Sequence, residues 1–155
     1  MAKLKDFQAV VDTWIEIDNR LSVDQNRAQL KGYTRKSKKI ADLRAQNDRA
    51  YFLLIFARFE QHLNSTVIGF LSRRHASTSW QSRRGWDVIH INNIRRTPFL
   101  NRLAYVVDKT SADYATVNQY YTIRNSLAHA GAAQVPFAIP IVESQLAQIA
   151  RSFMG

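Results

Sequence analysis

The chain has 155 residues, 46% of them hydrophobic, and a formal net charge of +10. This length and apolar content are typical of one globular domain, and they exclude a disordered chain. Because the chain has no cysteine, a disulfide framework, a thiol nucleophile and a cysteine-based zinc site are also excluded. We therefore expect a single domain over residues 1–155, located in the cytoplasm.

The basic charge is concentrated in the middle of the chain. Residues 31–109 contain sixteen Lys or Arg and five Asp or Glu, a net charge of +11. Such a block indicates a polyanionic partner, nucleic acid first, although a merely soluble basic surface would look the same. The longest apolar run is "YFLLIFA" at residues 51–57. A membrane span requires about 20 residues, so we expect no membrane contact.

Apolar residues at helical spacing predict two long helices at the start of the chain. The first helix carries Leu4, Phe7, Val10, Val11, Trp14, Ile17 and Leu21. We expect Gly32 to end it. The second helix extends from Ser37 to Ser72, or starts nearer Asn47. Its apolar stripe comprises Ile40, Leu43, Tyr51, Leu54, Ile55, Phe59, Leu63, Val67, Phe70 and Leu71.

The helical pattern is lost after the second helix, in a basic segment that extends to Thr97. We expect this segment to be mostly irregular, with short helical pieces. A short third helix follows, with Thr97 as its N-cap and Pro98 as its first residue. The fourth helix runs from an N-cap at Ser111 to Gly131, and the last covers residues 141–153. We predict an all-α fold, an antiparallel bundle of about five helices with the irregular basic segment before the fourth helix.

The fourth helix has two different faces when its residues are placed about 100° apart. The face expected to point into the core carries Thr116, Tyr120, Ile123 and Leu127. The opposite face carries Asn118, Thr122, Asn125 and His129. Exposed helix faces are usually rich in Lys and Glu, which are good helix formers. A stripe of neutral hydrogen-bonding side chains therefore indicates an interface or a ligand site.

Three residues near the end of this helix have the chemistry to cleave RNA without a metal ion. His129 can act as a general acid or base. Arg124 presents a planar fork that matches phosphate oxygens, and Asn125 can orient either group. One chain supplies one such His, so a two-fold dimer across the helix would supply the second. The simpler interpretation is a His that stabilises the helix dipole and an Arg in a structural ion pair.

The stretch "RNSLAH" at residues 124–129 matches the Arg-Asn-x-x-x-His motif of the HEPN superfamily. The stretch "NDRAYFLLIFARFEQHLN" at residues 47–64 resembles the second helix of bacterial HEPN proteins. This resemblance implies one HEPN-like helical domain, often a homodimer with a composite cleft, and metal-independent endoribonuclease activity. Carried over, it makes Arg124, Asn125 and His129 catalytic. Such proteins act as toxins, antiphage effectors or CRISPR-associated nucleases, which would add an antitoxin or regulatory protein as a partner.

Other residues are candidates for supporting roles. Glu60 is a candidate to hold Arg124 or to tune His129. The candidates for RNA binding are Arg73, Arg74, Arg83, Arg84, Arg95, Arg96, Trp80 and Tyr121. Arginines with interleaved aromatic rings bind single-stranded RNA, whereas the alternative is a solvated loop whose Trp rings pack on the core. The sequence has no HxH, HExxH or phosphate-binding glycine motif, so we expect no metal and no cofactor.

Two functions from different classes follow from these patterns. The first is a metal-independent endoribonuclease that acts on RNA as a homodimer. The second is a non-catalytic HEPN-like module that binds nucleic acid or a protein. A DNA-binding regulator is a third interpretation, with phosphate contacts from the basic stretch "KGYTRKSKKI" at residues 31–40.

Overall fold

The computed structural model describes residues 5–130 and 134–153, with side chains for residues 7–128 and 134–153. Within these ranges the chain forms six α-helices and one 3₁₀ helix, and no strand. In chain order they are α1 (Lys5–Leu30), α2 (Thr34–His75), α3 (Trp80–Arg83), the 3₁₀ helix (Ile91–Arg96), α4 (Phe99–Leu103), α5 (Ala112–Ala130) and α6 (Ile139–Ser152). The predicted all-α class is confirmed. There are seven helical elements where about five were expected, because the basic segment itself contains α3 and the 3₁₀ helix.

Several helix ends differ from the predicted ones. Helix α2 runs from Thr34 to His75, three residues beyond the predicted Ser37 and Ser72 at each end, so the alternative start near Asn47 is wrong. Thr97 does not cap α4, because its N–H bonds to the Ile94 carbonyl and ends the 3₁₀ helix. Pro98 occupies the N-cap position instead. Helix α6 begins at Ile139, two residues earlier than predicted.

The predicted N-cap of α5 is confirmed. The Ser111 Oγ accepts a hydrogen bond from the Tyr114 N–H at 3.1 Å, which satisfies one of the free donors of the first turn. Just before it, the Thr110 N–H and hydroxyl both donate to Asp108 Oδ1, and these bonds lower the pKa of Asp108. The predicted end at Gly131 lies outside the described residues.

Gly32 closes the turn between α1 and α2. Its N–H bonds to the Gln29 carbonyl at 2.9 Å, and the Tyr33 N–H bonds to the Ala28 carbonyl at 2.8 Å. This pair of bonds is the Schellman motif, which needs a left-handed residue after the helix. Gly32 has φ +70, as the motif requires. The sequence prediction that Gly32 ends the first helix is confirmed, and the turn sends α2 back along α1.

Polar contacts set the register of the α1–α2 pair. Arg44 donates to both carboxylate oxygens of Asp18, at 2.7 and 2.8 Å, and to Gln25 Oε1 at 3.0 Å. The hydrogen bonds to Asp18 raise the pKa of Arg44. One turn earlier on α1, Trp14 Nε1 donates to Asp48 Oδ1 at 2.8 Å. As the residue number rises on α1 it falls on α2, so the two helices are antiparallel.

Helix α2 provides the apolar stripe on which the other helices pack. Its fully buried side chains are Phe52, Ile55, Phe56, Phe59, Leu63, Val67 and Leu71. Buried residues from the other elements join them in one cluster: Phe7, Val11, Ile94, Phe99, Leu103, Val117, Tyr120, Leu127, Ile139, Val142, Leu146, Ile149, Ala150 and Phe153. Leu43 and Leu54, expected in the stripe, are 42% and 41% exposed. No helix in the described part of the chain is both long and apolar enough to cross a membrane.

A buried arginine fastens α4 to α2. Arg102 is 5% exposed. Its Nη2 donates to Glu60 Oε1 at 2.6 Å, and its Nη1 donates to Asn64 Oδ1. The guanidinium carbon also lies 5.7 Å from the centre of the Phe99 ring. A charge that is this deeply buried is tolerated when charged and polar partners surround it.

Replacement of Gly32 by Ala tests the turn. A Cβ at Gly32 meets nothing within 4 Å, so the cost comes from the left-handed backbone alone. We expect Gly32→Ala to reduce the free energy of unfolding by about 1 kcal/mol in urea titrations. Gly85→Ala is the matched control, because that site is equally open and its φ is not positive. Equal effects of the two substitutions would contradict this explanation.

Replacement of Arg102 by Ala tests the α2–α4 contact. It leaves the partly exposed Glu60 without its cation and Asn64 without its donor. We expect a loss of about 2 kcal/mol in the free energy of unfolding. The exposed Arg96, in the neighbouring 3₁₀ helix, is the matched control, with an expected change within about 0.5 kcal/mol on replacement by Ala. A similar small change in both variants would show that the Arg102 cluster adds nothing to stability.

Candidate active site and basic surface

Helix α5 lies across the middle of α2, and its C-terminal end points toward the α1–α2 turn. The Tyr120 ring is 6.0 Å from Phe52, centre to centre. Beyond the end of α5, Gln134 and Val135 line a pocket of about 250 Å³ together with Arg44 and Asp48. Residue numbers therefore rise on α5 as they fall on α2. The segment with the predicted motif lies toward the α1–α2 hairpin, formed by the turn at Gly32 and the helix ends beside it, and away from the C-terminal end of α2.

Two tyrosines fix the rotation of α5. Tyr120 is buried, its hydroxyl donates to Gln145 Oε1 of α6, and burial raises its pKa. Tyr121 is half-buried, and its ring stacks on Phe99 with a centre-to-centre distance of 4.6 Å. Tyr120 and Leu127 of the predicted core face are buried, whereas Thr116 and Ile123 are half-buried. Tyr121, a candidate for RNA binding, thus buries part of its surface in packing against Phe99.

Arg124 and Asn125 are the two catalytic candidates whose side chains the structure describes. Arg124 Nη1 donates to Asn125 Oδ1 at 3.1 Å, and both side chains are half-buried. This contact uses one of the five N–H donors of the guanidinium. His129 belongs to the same uninterrupted helix, one turn and a half after Arg124, but its side chain lies outside the described residues.

Two of the three described residues of the neutral stripe on α5 are exposed. Asn118 and Thr122 are exposed, and Asn125 is half-buried. The Thr122 hydroxyl donates to the Asn118 carbonyl at 3.0 Å, and the Ser126 hydroxyl donates to the Thr122 carbonyl at 3.1 Å. These hydroxyls are bonded to the backbone of their own helix, an arrangement that stabilises a helix little. Within the stripe, the Thr122 hydroxyl is thus bonded inside the helix, while the Asn118 side chain is exposed.

Glu60 forms its ion pair with Arg102, at 2.6 Å. The hypothesis that Glu60 holds Arg124 is therefore wrong for this structure. The physical reason is that Glu60 lies one turn beyond Phe56 toward the C-terminal end of α2, whereas α5 runs the other way. Arg102 was not among the residues singled out in the sequence. Its spacing of three residues from Phe99 places it on the same side of α4 as that buried ring and could have identified it as buried.

The two Trp residues of the basic segment have different environments. The Trp86 ring is half-buried, edge-on to Phe70 at 5.3 Å, and 6.5 Å from Tyr105. Its carbonyl oxygen is 2.8 Å from His75 Nε2. Trp80 is 60% exposed, and the Arg84 guanidinium lies 5.5 Å from its ring centre. The alternative in which both rings pack on the core therefore describes Trp86 and not Trp80.

The paired arginines also differ in what they contact. Arg83 binds the Asp87 carboxylate at 3.3 Å and the Ser77 carbonyl at 3.2 Å. The Arg74 guanidinium lies over the rings of Phe70 and Trp86, at 5.1 and 5.6 Å. The remaining candidates of this set are exposed: Arg73, Arg84, Arg95 and Arg96. Arg83 acts as a structural tie within the segment, and the exposed arginines are available to a ligand.

Metal-ligating side chains do not come together in the described ranges, where no three His, Asp or Glu residues form a group that could hold an ion. His62 is buried, with Nε2 3.4 Å from the Ala150 carbonyl, and its ring stacks on Phe153. His62 of α2 thus packs against the C-terminal end of α6.

Comparison of the chain with protein-family models, with curated proteins and with solved structures finds no match. The resemblance to the HEPN superfamily therefore depends on the short motif and the long second helix alone.

The difference between Trp86 and Trp80 can be tested by stability. Replacement of Trp86 by Ala removes the contacts with Phe70 and Tyr105, and we expect it to lower the free energy of unfolding by about 2 kcal/mol. The same replacement at the exposed Trp80 should change it by no more than about 0.5 kcal/mol. Urea titrations of both variants measure the two values. A loss at Trp80 as large as that at Trp86 would contradict the packing described here.

Proposed function

We propose that this chain is a metal-independent endoribonuclease in which Arg124, Asn125 and His129 carry the reaction. The observation that supports this proposal is the hydrogen bond from Arg124 Nη1 to Asn125 Oδ1, at 3.1 Å, in the helix that also contains His129. The bond restricts the guanidinium while most of its donors stay available for phosphate oxygens. A preorganised cation of this kind stabilises negative charge as it develops on a phosphoryl group.

The reaction uses the substrate's own hydroxyl group. The ribose 2′-oxygen attacks the adjacent phosphorus and loses its proton to a general base. The bond from phosphorus to the 5′-oxygen breaks, and a general acid protonates that oxygen. The products are a 2′,3′-cyclic phosphate and a 5′-hydroxyl end. His129 serves as base or acid, and Arg124 neutralises the phosphoryl oxygens.

A homodimer completes this site. Arg124 and His129 are about 140° apart around the helix axis, so they leave α5 in different directions. Efficient transfer needs a base and an acid on opposite sides of the phosphorus, and one chain contributes a single His129. Two copies related by a two-fold axis at the neutral stripe of α5 would place Arg124 and His129 of both chains in one cleft. The HEPN-like antiparallel bundle and the role of toxin or antiphage effector, controlled by an antitoxin or another regulatory protein, belong to this proposal.

A non-catalytic nucleic-acid-binding module is the second candidate. It is favoured by Trp80, whose ring is 60% exposed beside the Arg84 guanidinium. An exposed aromatic ring next to a cation is suited to base stacking and phosphate contact whether or not α5 is catalytic.

A cleavage assay in EDTA distinguishes the two candidates. Wild-type protein is incubated with a mixed RNA substrate beside His129→Ala and Arg124→Ala, and the product ends are mapped. We expect 2′,3′-cyclic phosphate ends from the wild type, and rates at least about 100-fold lower for both variants, because each loses a group that acts in the transition state.

His90→Ala is the matched control, since His90 is an exposed histidine outside α5. It should cut RNA at the wild-type rate, and the melting curves of all variants should coincide. Wild-type cleavage by His129→Ala would refute the proposed role of the motif. Uncut RNA with the wild type, together with salt-dependent binding, would favour the second candidate.

A further inference from the structure

An open groove of about 580 Å³ lies between the last turns of α2 and helix α3. The residues that line it are Phe70, Arg73, Arg74, Ser77 and Ser82. Two guanidinium groups and two hydroxyl groups thus surround one aromatic side chain. Guanidinium and hydroxyl groups are the usual side-chain donors to phosphate oxygens.

The arginine at the centre of the groove is held in place. The Arg74 guanidinium lies 5.1 Å from the Phe70 ring centre and 5.6 Å from that of Trp86. Aromatic faces attract a cation without using its N–H donors. Arg74 therefore presents an oriented fork and loses less side-chain entropy on binding than a freely rotating cation.

Three separate contacts connect the segment at residues 83–86 with the last turns of α2 and with Ser77 just beyond them. The His75 ring nitrogen lies 2.8 Å from the Trp86 carbonyl, Arg83 donates to the Ser77 carbonyl at 3.2 Å, and Trp86 packs edge-on against Phe70. These contacts connect residues 70–77 with residues 83–86. The groove is thus formed before any ligand arrives.

Trp80 lies at the start of α3, two residues before Ser82 of the groove wall. Its ring is 60% exposed, and the Arg84 guanidinium is 5.5 Å from the ring centre. Trp80 does not itself line the groove, but it belongs to the same four-residue helix as Ser82. An exposed aromatic ring on an element that also contributes to a cationic groove provides a surface on which an unpaired base can stack while the groove holds phosphates.

We propose that this groove binds the backbone of single-stranded nucleic acid through Arg73, Arg74 and the two serines, and that Trp80 stacks on a base next to the bound phosphates. A single strand is specified because duplex bases are already stacked and cannot reach the Trp80 ring. RNA and DNA share this chemistry, so the two are compared in the test.

The groove is distinct from the motif of α5. Tyr121 of α5 lies level with Phe56 of α2, 6.2 Å between ring centres. Phe70 of the groove is fourteen residues farther along α2, a distance of about 21 Å at the rise of an α-helix. Binding in the groove therefore does not require that α5 cleave RNA, and the two proposals can fail separately.

The test measures binding by fluorescence anisotropy with labelled oligonucleotides of about 16 nucleotides, the upper end of common single-strand site sizes. Oligodeoxythymidine is used with the wild-type chain, because it lacks the 2′-hydroxyl that the proposed reaction needs. Oligouridine is used with the His129→Ala chain. A duplex of the same length is the third ligand. Trp80→Ala and the double variant Arg73→Gln, Arg74→Gln are compared in each background.

We expect Trp80→Ala to weaken single-strand binding about tenfold and to leave duplex binding unchanged. The double arginine variant should weaken binding and reduce the slope of log affinity against log salt by about 1.4, as expected for two lost phosphate contacts on a single strand. The control is Arg20→Gln with Arg27→Gln. It removes the same charge from the exposed surface of α1 and should retain the affinity and nearly all of the slope.

Three results would overturn the proposal. They are wild-type affinity in both groove variants, an equal loss in the α1 control, and a preference for duplex over single strand. Binding that is lost in the groove variants while the wild type leaves RNA uncut would support the groove and count against the ribonuclease. Cleavage of RNA by the wild type, together with unaltered binding in the groove variants, would support the ribonuclease and count against the groove.

Discussion

The arrangement of the helices depends on the contacts that the ring of Phe56 makes. This ring is 1% exposed and touches aromatic rings from three elements. Within α2 it lies 6.5 Å from Phe52, and it reaches Phe99 of α4 at 5.2 Å and Tyr121 of α5 at 6.2 Å. Because Phe99 also stacks on Tyr121, the three rings form a closed set. A shift of any one of these helices would break at least two of the contacts.

This aromatic junction places the two candidate surfaces at different levels of α2. Helix α5 leaves the junction toward the hairpin, so its final turns, with Arg124 and Asn125, lie on that side. Helix α4 is fastened on the other side by the pair of Arg102 with Glu60. Beyond it, the chain between α2 and α4 folds back on the last turns of α2 and forms the groove. A strand held in the groove would have to extend along α2 to reach α5 of the same chain.

Local patterns in the sequence predicted those features that depend on neighbouring residues. Gly32 was recognisable because a helix that must reverse needs a left-handed residue, and Ser111 because its hydroxyl can serve the first turn of α5. The long apolar stripe of α2 was correct for the buried Ile40, Ile55, Phe59, Leu63, Val67 and Leu71. It was wrong at Leu43 and Leu54, whose helical spacing does not reveal that their side chains are 42% and 41% exposed.

The partners of charged groups could not be predicted in the same way, because they depend on how distant helices meet. Glu60 was a candidate to hold Arg124 or to tune His129 on chemistry alone, and in the structure it pairs with Arg102 instead. For the same reason the sequence could not separate Trp80 from Trp86. Both are flanked by arginines, and only the position of Phe70 and Tyr105 in space shows which ring is packed.

The basic excess of residues 31–109 is divided by the fold into groups with different roles. Arg44, Arg83 and Arg102 form ion pairs with carboxylates. The exposed cations include a hairpin group at Arg35, Lys36, Lys38 and Lys39, and a second group at the opposite end of α2. The 42 residues of α2 separate these ends by about 60 Å, far beyond the Debye length at physiological salt.

The two groups would therefore attract a polyanion independently. They differ in how firmly their side chains are held in place. The hairpin group is mainly lysine, a flexible point charge, beside the exposed Tyr33. At the other end, arginines lie against the rings of Phe70, Trp86 and Trp80. Both ends can add to long-range attraction. At the C-terminal end of α2, a groove is lined by two arginines and two serines, and the exposed Trp80 lies in sequence between those serines. This combination would convert attraction into the proposed preference for unpaired bases.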